Sequence, residues 1–207
     1  MTRRADYTSN EWALLKRAVK LVGFAMLAVS KSGPVGKLRE ITMLSTCLTQ
    51  RAVPLQFRRN ELVLALLDDP DVQALRPFAY ISRGETSSLI AAIATARPRL
   101  LTCCERVAVL LAEKTPWAEA DGLKRWLLWV ARSVAEASGD RWLGLGRKLS
   151  DVELQKLNEI ATSLQISLVA PVPTASELEV MLGMKPQDAN GVWGNSDGHG
   201  HHRSSDG

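Results

Sequence analysis

Histidine is missing from nearly all of this chain. The three histidines, His199, His201 and His202, lie within the last nine of the 207 residues, in a Gly- and Ser-rich stretch that is too polar to pack. The part of the chain that can fold therefore offers no rigidly held imidazole. Ser-His-Asp and Cys-His catalysis, H-E-x-x-H zinc sites and di-iron helical bundles are excluded, because each of them needs one.

Cysteine and long apolar runs are also scarce. Adjacent Cys103 and Cys104 lie far from Cys47, so the three cysteines offer neither a disulfide framework nor a C-x-x-C pair. We expect buried, unreactive thiols. The longest uncharged stretch, residues 160–176, contains two prolines and is too polar to span a membrane. Since the N-terminus shows no secretory signal pattern, a cytoplasmic location is predicted.

What the chain does contain is helical periodicity. Its composition, 46% hydrophobic and 23% charged, suffices for one globular domain. After the candidate N-cap Thr8, apolar residues recur every three or four positions, which is typical of an amphipathic helix. They are Trp12, Leu15, Val19, Val22, Met26 and Val29. Pro34 then begins a second helix. The apolar face predicted for it comprises Leu38, Ile41, Leu44, Cys47 and Leu48.

Similar signals predict the later elements. A short helix is expected over 58–67, and the acidic turn at 68–71 should begin one more helical turn. Pro98 should divide the helical stretch 85–114 into two helices, because proline removes a backbone donor and clashes with the preceding turn. The last helix should begin with the capping box Ser150-Asp151-Val152-Glu153.

Together these elements predict the fold class. We expect an all-α bundle of about six to seven helices over residues 1–170. Residues 171–207 are predicted to form a flexible tail with one short helix, since they are rich in Pro, Gly, Asn, Asp and Ser.

The charge is unevenly distributed. The chain carries a formal net charge of +4, but residues 1–60 hold eleven Lys/Arg and three Asp/Glu, a net charge of +8. A basic half fits an acidic protein partner or an anionic membrane surface, although a solvated helix face is the simpler explanation. Nucleic acid is disfavoured as a partner, because the cations are spread out and no nucleic-acid-binding motif is present. Self-association stays open.

Two segments of the chain resemble each other. Residues 21–33 and 128–139 are rich in small side chains and end in Ser-Gly, and each precedes an amphipathic helix, at 35–48 and 152–164. A helix pair of this kind cannot bury its apolar face alone. We therefore expect the two pairs to pack together as pseudo-repeats.

In these segments the chain resembles the TerB family of helical domains, which is associated with bacterial tellurite resistance and stress response. The resemblance covers residues 21–48 and 126–166 and includes the Ser-Gly turns and the sequence Glu159-Ile160-Ala161-Thr162-Ser163-Leu164. It implies two helical pseudo-repeats with carboxylates clustered at the turns, which suit a divalent cation.

This chain departs from that acidic pattern. Its first turn, residues 31–37, carries two lysines and no carboxylate, so the candidate metal ligands are Asp140, Asp151 and Glu153 in the second. An insertion with three positive charges separates Asp140 from the other two. Asp151 and Glu153 also suit the first turn of a helix, where carboxylates complement the helix dipole. We expect capping there, and no cofactor beyond a weakly bound divalent metal ion.

The insertion, residues 141–149, suggests a second kind of site. Its apolar residues Trp142, Leu143 and Leu145 stand among the basic residues Arg141, Arg147 and Lys148. Two interpretations remain open. The loop covers the bundle as a lid and buries Trp142, or it presents Trp142 as an anchor to a protein partner, as in binding hot spots.

Two functions follow. The first is a non-enzymatic helical interaction or scaffold protein of a bacterial stress-related or membrane-proximal assembly. The alternative is a carboxylate-based divalent-metal-binding protein or metal-dependent enzyme. Carboxylates that converge on one point would favour metal, whereas scattered, solvated carboxylates beside an exposed apolar patch would favour partner binding.

Overall fold

The computed structural model describes residues 3–30, 32–137 and 149–166. The predicted tail, residues 171–207, lies outside this part of the chain, as does the boundary placed at residue 170.

Within the described residues the chain forms eight α-helices and no β-strand, which confirms the all-α fold. The helices are α1 (Ser9–Val29), α2 (Pro34–Cys47), α3 (Glu61–Asp68), α4 (Pro70–Ala74), α5 (Pro77–Ser82), α6 (Thr86–Lys114), α7 (Trp117–Ala137) and α8 (Asp151–Ser163). Two short 3-10 helices, Arg4–Asp6 and Gln50–Ala52, accompany them. The count exceeds the predicted six to seven because α4 and α5 are helices of only five and six residues.

Local sequence signals set several helix ends. Thr8 caps α1 in a capping box with Glu11, and Pro34 occupies the first turn of α2. Ser150 caps α8 in the predicted capping box. Asp69 caps α4 by accepting a hydrogen bond from the Asp71 amide at 2.9 Å, as the acidic turn had indicated. Each cap satisfies a backbone N–H that the helix itself leaves without a partner.

The two predicted helix pairs, α1–α2 and α7–α8, pack against each other. α1 contacts α6 and α7, α2 contacts α7, and α8 contacts α6, α1 and α7. The second helix of each pair thus lies against the first helix of the other, so the two pairs pack together as expected. All six predicted apolar positions of α1 are buried. Gly23 allows α2 to approach α1, because a Cβ atom at this position would overlap the Leu44 side chain.

Two predictions about the helices were wrong. α6 runs without a break through Pro98. Proline cannot donate to the carbonyl of Ala94, four residues earlier. Both Pro98 and Ala94 are exposed, so that carbonyl can bind water instead. Leu38, assigned to the apolar face of α2, is 56% exposed, whereas Glu40 is buried. The apolar period predicted the position of α2 correctly, but it predicted the wrong buried face for the first turns of this helix.

The cysteines behave as predicted. Cys47, Cys103 and Cys104 are buried free thiols. Burial raises the pKa of both Cys47 and Cys104 to about 12 and also raises the pKa of Cys103, so the thiols stay protonated. Among the described helices, none is both long and apolar enough to cross a membrane.

Candidate functional site

Two of the three predicted metal ligands, Asp151 and Glu153, lie in the described part of the chain. Glu153 is buried, and its carboxylate accepts hydrogen bonds from the Ser150 amide at 2.9 Å and the Ser150 hydroxyl at 2.8 Å. Asp151 is exposed in the first turn of α8. Asp140 lies outside the described residues. Both described carboxylates therefore occupy the predicted capping positions, and the residues that the structure describes contain no group of three or more His, Cys, Asp or Glu able to hold a metal ion.

The second predicted site is the insertion loop. Its candidate partner-binding residues all lie outside the described ranges, so the choice between lid and anchor stays open. These residues are Arg141, Trp142, Leu143, Leu145, Arg147 and Lys148.

The structure does reveal a basic groove between α1 and α6. The groove has a volume of about 320 Å³. We define the basic groove by its lining residues Ala13, Lys16, Arg17, Lys20, Leu21, Asp71, Leu75, Ala92, Thr95 and Arg99. Four of them are cationic and one is anionic, while the apolar ones come from α1, α6 and the end of α4. The groove therefore combines cationic and apolar side chains.

One cation of the groove is neutralised within the protein. Lys16 forms an ion pair with exposed Asp71 and lies 3.4 Å from Asp69. The hydrogen bond to Asp71 raises the pKa of Lys16, and it outweighs the opposing effect of burial. Lys16 and Asp71 thus form a fixed, paired edge of the basic groove.

The remaining cations of the groove have no ion-pair partner in the part of the chain that the structure describes. Arg17, Lys20 and Arg99 form no ion pair with any residue in the described ranges. Lys20 lies over the Phe24 ring, 5.9 Å from its centroid, which holds the ammonium beside α1 without cancelling its charge. Three cations converge on a partly enclosed space, so the groove favours a negatively charged group.

A further cation lies on α6 outside the groove. Burial raises the pKa of Cys103, and the charges of Arg17 and Arg106 oppose that shift. Arg106 is exposed on α6, about two turns from Arg99.

Sequence analysis found only half of this groove. The basic N-terminal half includes Lys16, Arg17 and Lys20, but Arg99 belongs to the part of the chain with negative net charge. Its role depends on the packing of α6 against α1, which charge counts along the sequence do not reveal. The only sequence signal for the groove was the cluster of three cations, Lys16, Arg17 and Lys20, within about one turn of α1.

A second polar cluster lies at the α1–α2 turn, where no carboxylate was expected. Glu40, fully buried, accepts hydrogen bonds from Ser30 and, at 2.6 Å, from Ser32. Lys37 pairs with Glu40 at 3.1 Å and also donates to the carbonyls of Leu27 and Ser30 at the end of α1. Within the described residues, the carboxylate of Glu40 accepts three hydrogen bonds from Ser30, Ser32 and Lys37. The role of the cluster is to hold α2 against the end of α1.

Comparison with known proteins gives no assignment for these features. No family model matches the chain, and neither a curated protein nor a solved structure matches it at a significant level.

Proposed function

We propose that this protein is a non-enzymatic helical interaction domain that binds an acidic protein partner in the basic groove. The resemblance to TerB-like domains suggests a stress-related or membrane-proximal assembly as its setting. One observation carries the proposal: three cations without an ion-pair partner among the described residues line one groove between two long, firmly packed helices.

The groove's position on rigid elements supports a binding role. α1 and α6 are 21 and 29 residues long and pack against each other. Side chains on such helices keep their relative positions, so an arriving carboxylate meets cations that are already arranged. Preorganised charge of this kind raises association rates and selects partners by charge.

The groove's shape favours a protein over a nucleic acid or a membrane. Leu21, Leu75 and Ala92 line the groove together with the cations. A Glu- or Asp-bearing helix can place apolar side chains against these residues and carboxylates against the cations, whereas a phosphate backbone has no apolar group for them.

Charge reversal in the groove tests the proposal. The double variant Arg17→Glu/Arg99→Glu changes two exposed, unpaired residues of the groove. Arg51→Glu/Arg59→Glu is the matched control, because it changes two exposed arginines outside the groove and alters the net charge equally. Circular dichroism should show unchanged helix content for both variants.

The binding measurement uses a fluorescein-labelled amphipathic Glu/Leu peptide. We expect saturable anisotropy changes that weaken with added salt, a loss of roughly tenfold or more in affinity for the groove variant, and near-parent affinity for the control. An equal loss of affinity in both variants would show that the peptide responds to the net charge of the protein and not to the groove. Tighter binding to a DNA duplex or to phosphatidylserine vesicles than to the peptide would contradict a protein partner.

The natural partner can be sought from the same groove. A photo-crosslinking amino acid at exposed Thr95 should capture a partner in the host cell, and the same group at exposed Gln56 should not. The captured protein should then lose its crosslink to Thr95 in the Arg17→Glu/Arg99→Glu background.

A further inference from the structure

A second groove lies where the end of α2 meets α4 and α5, and its chemistry differs from that of the basic groove. Its volume is about 530 Å³. We call it the Arg76 groove, defined by its lining residues Ser45, Thr46, Thr49, Gln73, Arg76, Phe78, Ala79 and Ser82. It contains one cation, several hydroxyl groups and an aromatic ring, and none of its lining residues is acidic.

Arg76 is the unusual group in this groove. Its Nε atom is buried and has no hydrogen-bond partner, and the guanidinium forms no ion pair with any described residue. A guanidinium is always charged, and an N–H group without a partner is disfavoured inside a protein. An anion in the groove would balance the charge of the guanidinium.

Ser45 supplies a second donor in the lining of the same groove. Its buried hydroxyl oxygen accepts a 3.4 Å hydrogen bond from the Phe78 amide, and its own proton is not donated to any described group. The groove thus offers a cation and a hydroxyl donor to an anionic group. A planar guanidinium matches a carboxylate in a two-pronged arrangement, which favours this anion.

The other hydroxyls are arranged as acceptors. Thr46, Thr49 and Ser82 each donate their proton to a backbone carbonyl, at 2.9, 2.8 and 3.1 Å respectively. Their oxygen lone pairs remain for a donor on a ligand. Phe78, 43% exposed, adds an aromatic wall on the same groove.

We infer that the Arg76 groove binds a small aromatic carboxylate that also carries a hydroxyl or amino group. The carboxylate lies on Arg76 and Ser45, the ring lies on Phe78, and the polar substituent donates to a threonine hydroxyl. This arrangement uses the cation, the aromatic ring and hydroxyl groups of the groove. The site is separate from the basic groove, so neither proposal depends on the other.

Two-dimensional NMR titration of the full chain tests this inference. The probe is 4-hydroxybenzoate, and 4-hydroxybenzyl alcohol serves as its analogue without the carboxylate. We expect saturable shifts of the Arg76 Nε–H signal and of the Phe78 and Ala79 amides with the carboxylate. With the alcohol, the shifts should be weaker by roughly tenfold or more, because a charge-assisted pair is lost.

Variants locate the binding site. Arg76→Gln and Arg76→Lys should both weaken binding by roughly tenfold or more, because neither retains the charged planar fork. Arg83→Gln, at the end of α5 and outside the groove, should bind as the parent does. Arg76→Lys keeps the charge and guards against a variant that fails to fold.

Several results would overturn the inference. They include the absence of saturable shifts, equal binding by the parent and Arg76→Lys, and shifts that map to Lys20 and Thr95 in the basic groove. Inorganic phosphate as a further probe should bind more weakly than the carboxylate, and tighter phosphate binding would reject the carboxylate assignment.

Discussion

The Trp12 indole donates a 2.7 Å hydrogen bond to the carboxylate of Asp69, and both side chains are buried. The same carboxylate accepts the Asp71 amide at the start of α4 and lies 3.4 Å from the Lys16 ammonium. One acidic side chain thus joins α1 to α4 and fixes the paired edge of the basic groove. The geometry of the groove depends on this contact.

Removing Asp69 should destabilise the protein. Asp69→Ala leaves the buried Trp12 N–H without an acceptor and removes the cap of α4, so the free energy of unfolding should fall by about 1–3 kcal/mol. Chemical denaturation measures this loss. Asp71→Ala is the control, because its side chain is 76% exposed and its ion pair with Lys16 should contribute less than about 1 kcal/mol. An equal loss of unfolding free energy in both variants would show that the hydrogen bond between Trp12 and Asp69 does not stabilise the fold more than the exposed ion pair does.

Asp69 should also make the stability of the fold decrease at low pH. Burial alone would raise the pKa of Asp69, but the hydrogen bonds from Trp12 and the Asp71 amide, together with Lys16, outweigh it and hold the pKa below its usual value. A carboxyl whose pKa is lower in the folded state stabilises the fold fully above its unfolded pKa of about 3.9, and this contribution is lost as the pH falls through the folded pKa. Asp69→Asn should therefore show a flatter fall in melting temperature than the parent below about pH 4. Parallel curves would contradict this assignment.

The Lys37–Glu40 pair gives a prediction of coupling. Lys37→Met leaves the buried Glu40 carboxylate with only serine hydroxyls and should cost about 2–3 kcal/mol, less than a fully buried pair because water can reach the vacated position. The double variant Lys37→Met/Glu40→Leu removes both charges and should recover at least half of that loss. Denaturation of the parent, both single variants and the double variant measures the coupling. Additive losses would mean that the two side chains act independently.

The sequence predicted best those features that depend on neighbouring residues. Thr8, Pro34 and Ser150 marked helix starts correctly, because capping and proline geometry act within one turn. The buried face of α1 followed from its periodicity. The capping role of Glu153 was also predictable, since the capping box is a local motif.

Features that depend on packing between distant segments were not predictable. Leu38 fits the apolar period of α2, but the buried position goes to Glu40, which pairs with Lys37 and the serines of the preceding turn. The basic groove brings Arg17 of α1 beside Arg99 of α6. Neither arrangement has a signature in a single stretch of sequence.

The core of the α8 region should depend on two side chains. Leu157 and Ile160 are 7% and 0% exposed, so Leu157→Ala or Ile160→Ala should each cost about 2–5 kcal/mol. Lys156 is partly buried and pairs with Glu159, so exposed Asn158→Ala is the cleaner control. The control should stay within about 0.5 kcal/mol of the parent. If both core variants melt like the parent, the helix register described for α8 is wrong.

Replacing Pro98 with alanine should stabilise the protein. α6 continues through this residue because buried side chains on both sides of it, including Ala96 and Leu100, pack on the bundle and outweigh the lost backbone hydrogen bond. Pro98→Ala restores the N–H that can donate to the Ala94 carbonyl on the exposed side. Since an interior proline costs a helix about 3 kcal/mol and water already solvates part of the gap, the gain should be about 1–2 kcal/mol. For a chain of this size, that raises the melting temperature by roughly 2–8 °C.

Calorimetry of Pro98→Ala measures this gain, and exposed Arg97→Ala at the adjacent position serves as the control that should leave the melting temperature nearly unchanged. An unchanged or lower melting temperature for Pro98→Ala would show that the proline fits the helix as it packs. In that case the bend or widening that a proline imposes on α6 contributes to its contacts with α1 and α8, and the exposed proline is part of the fold's specificity.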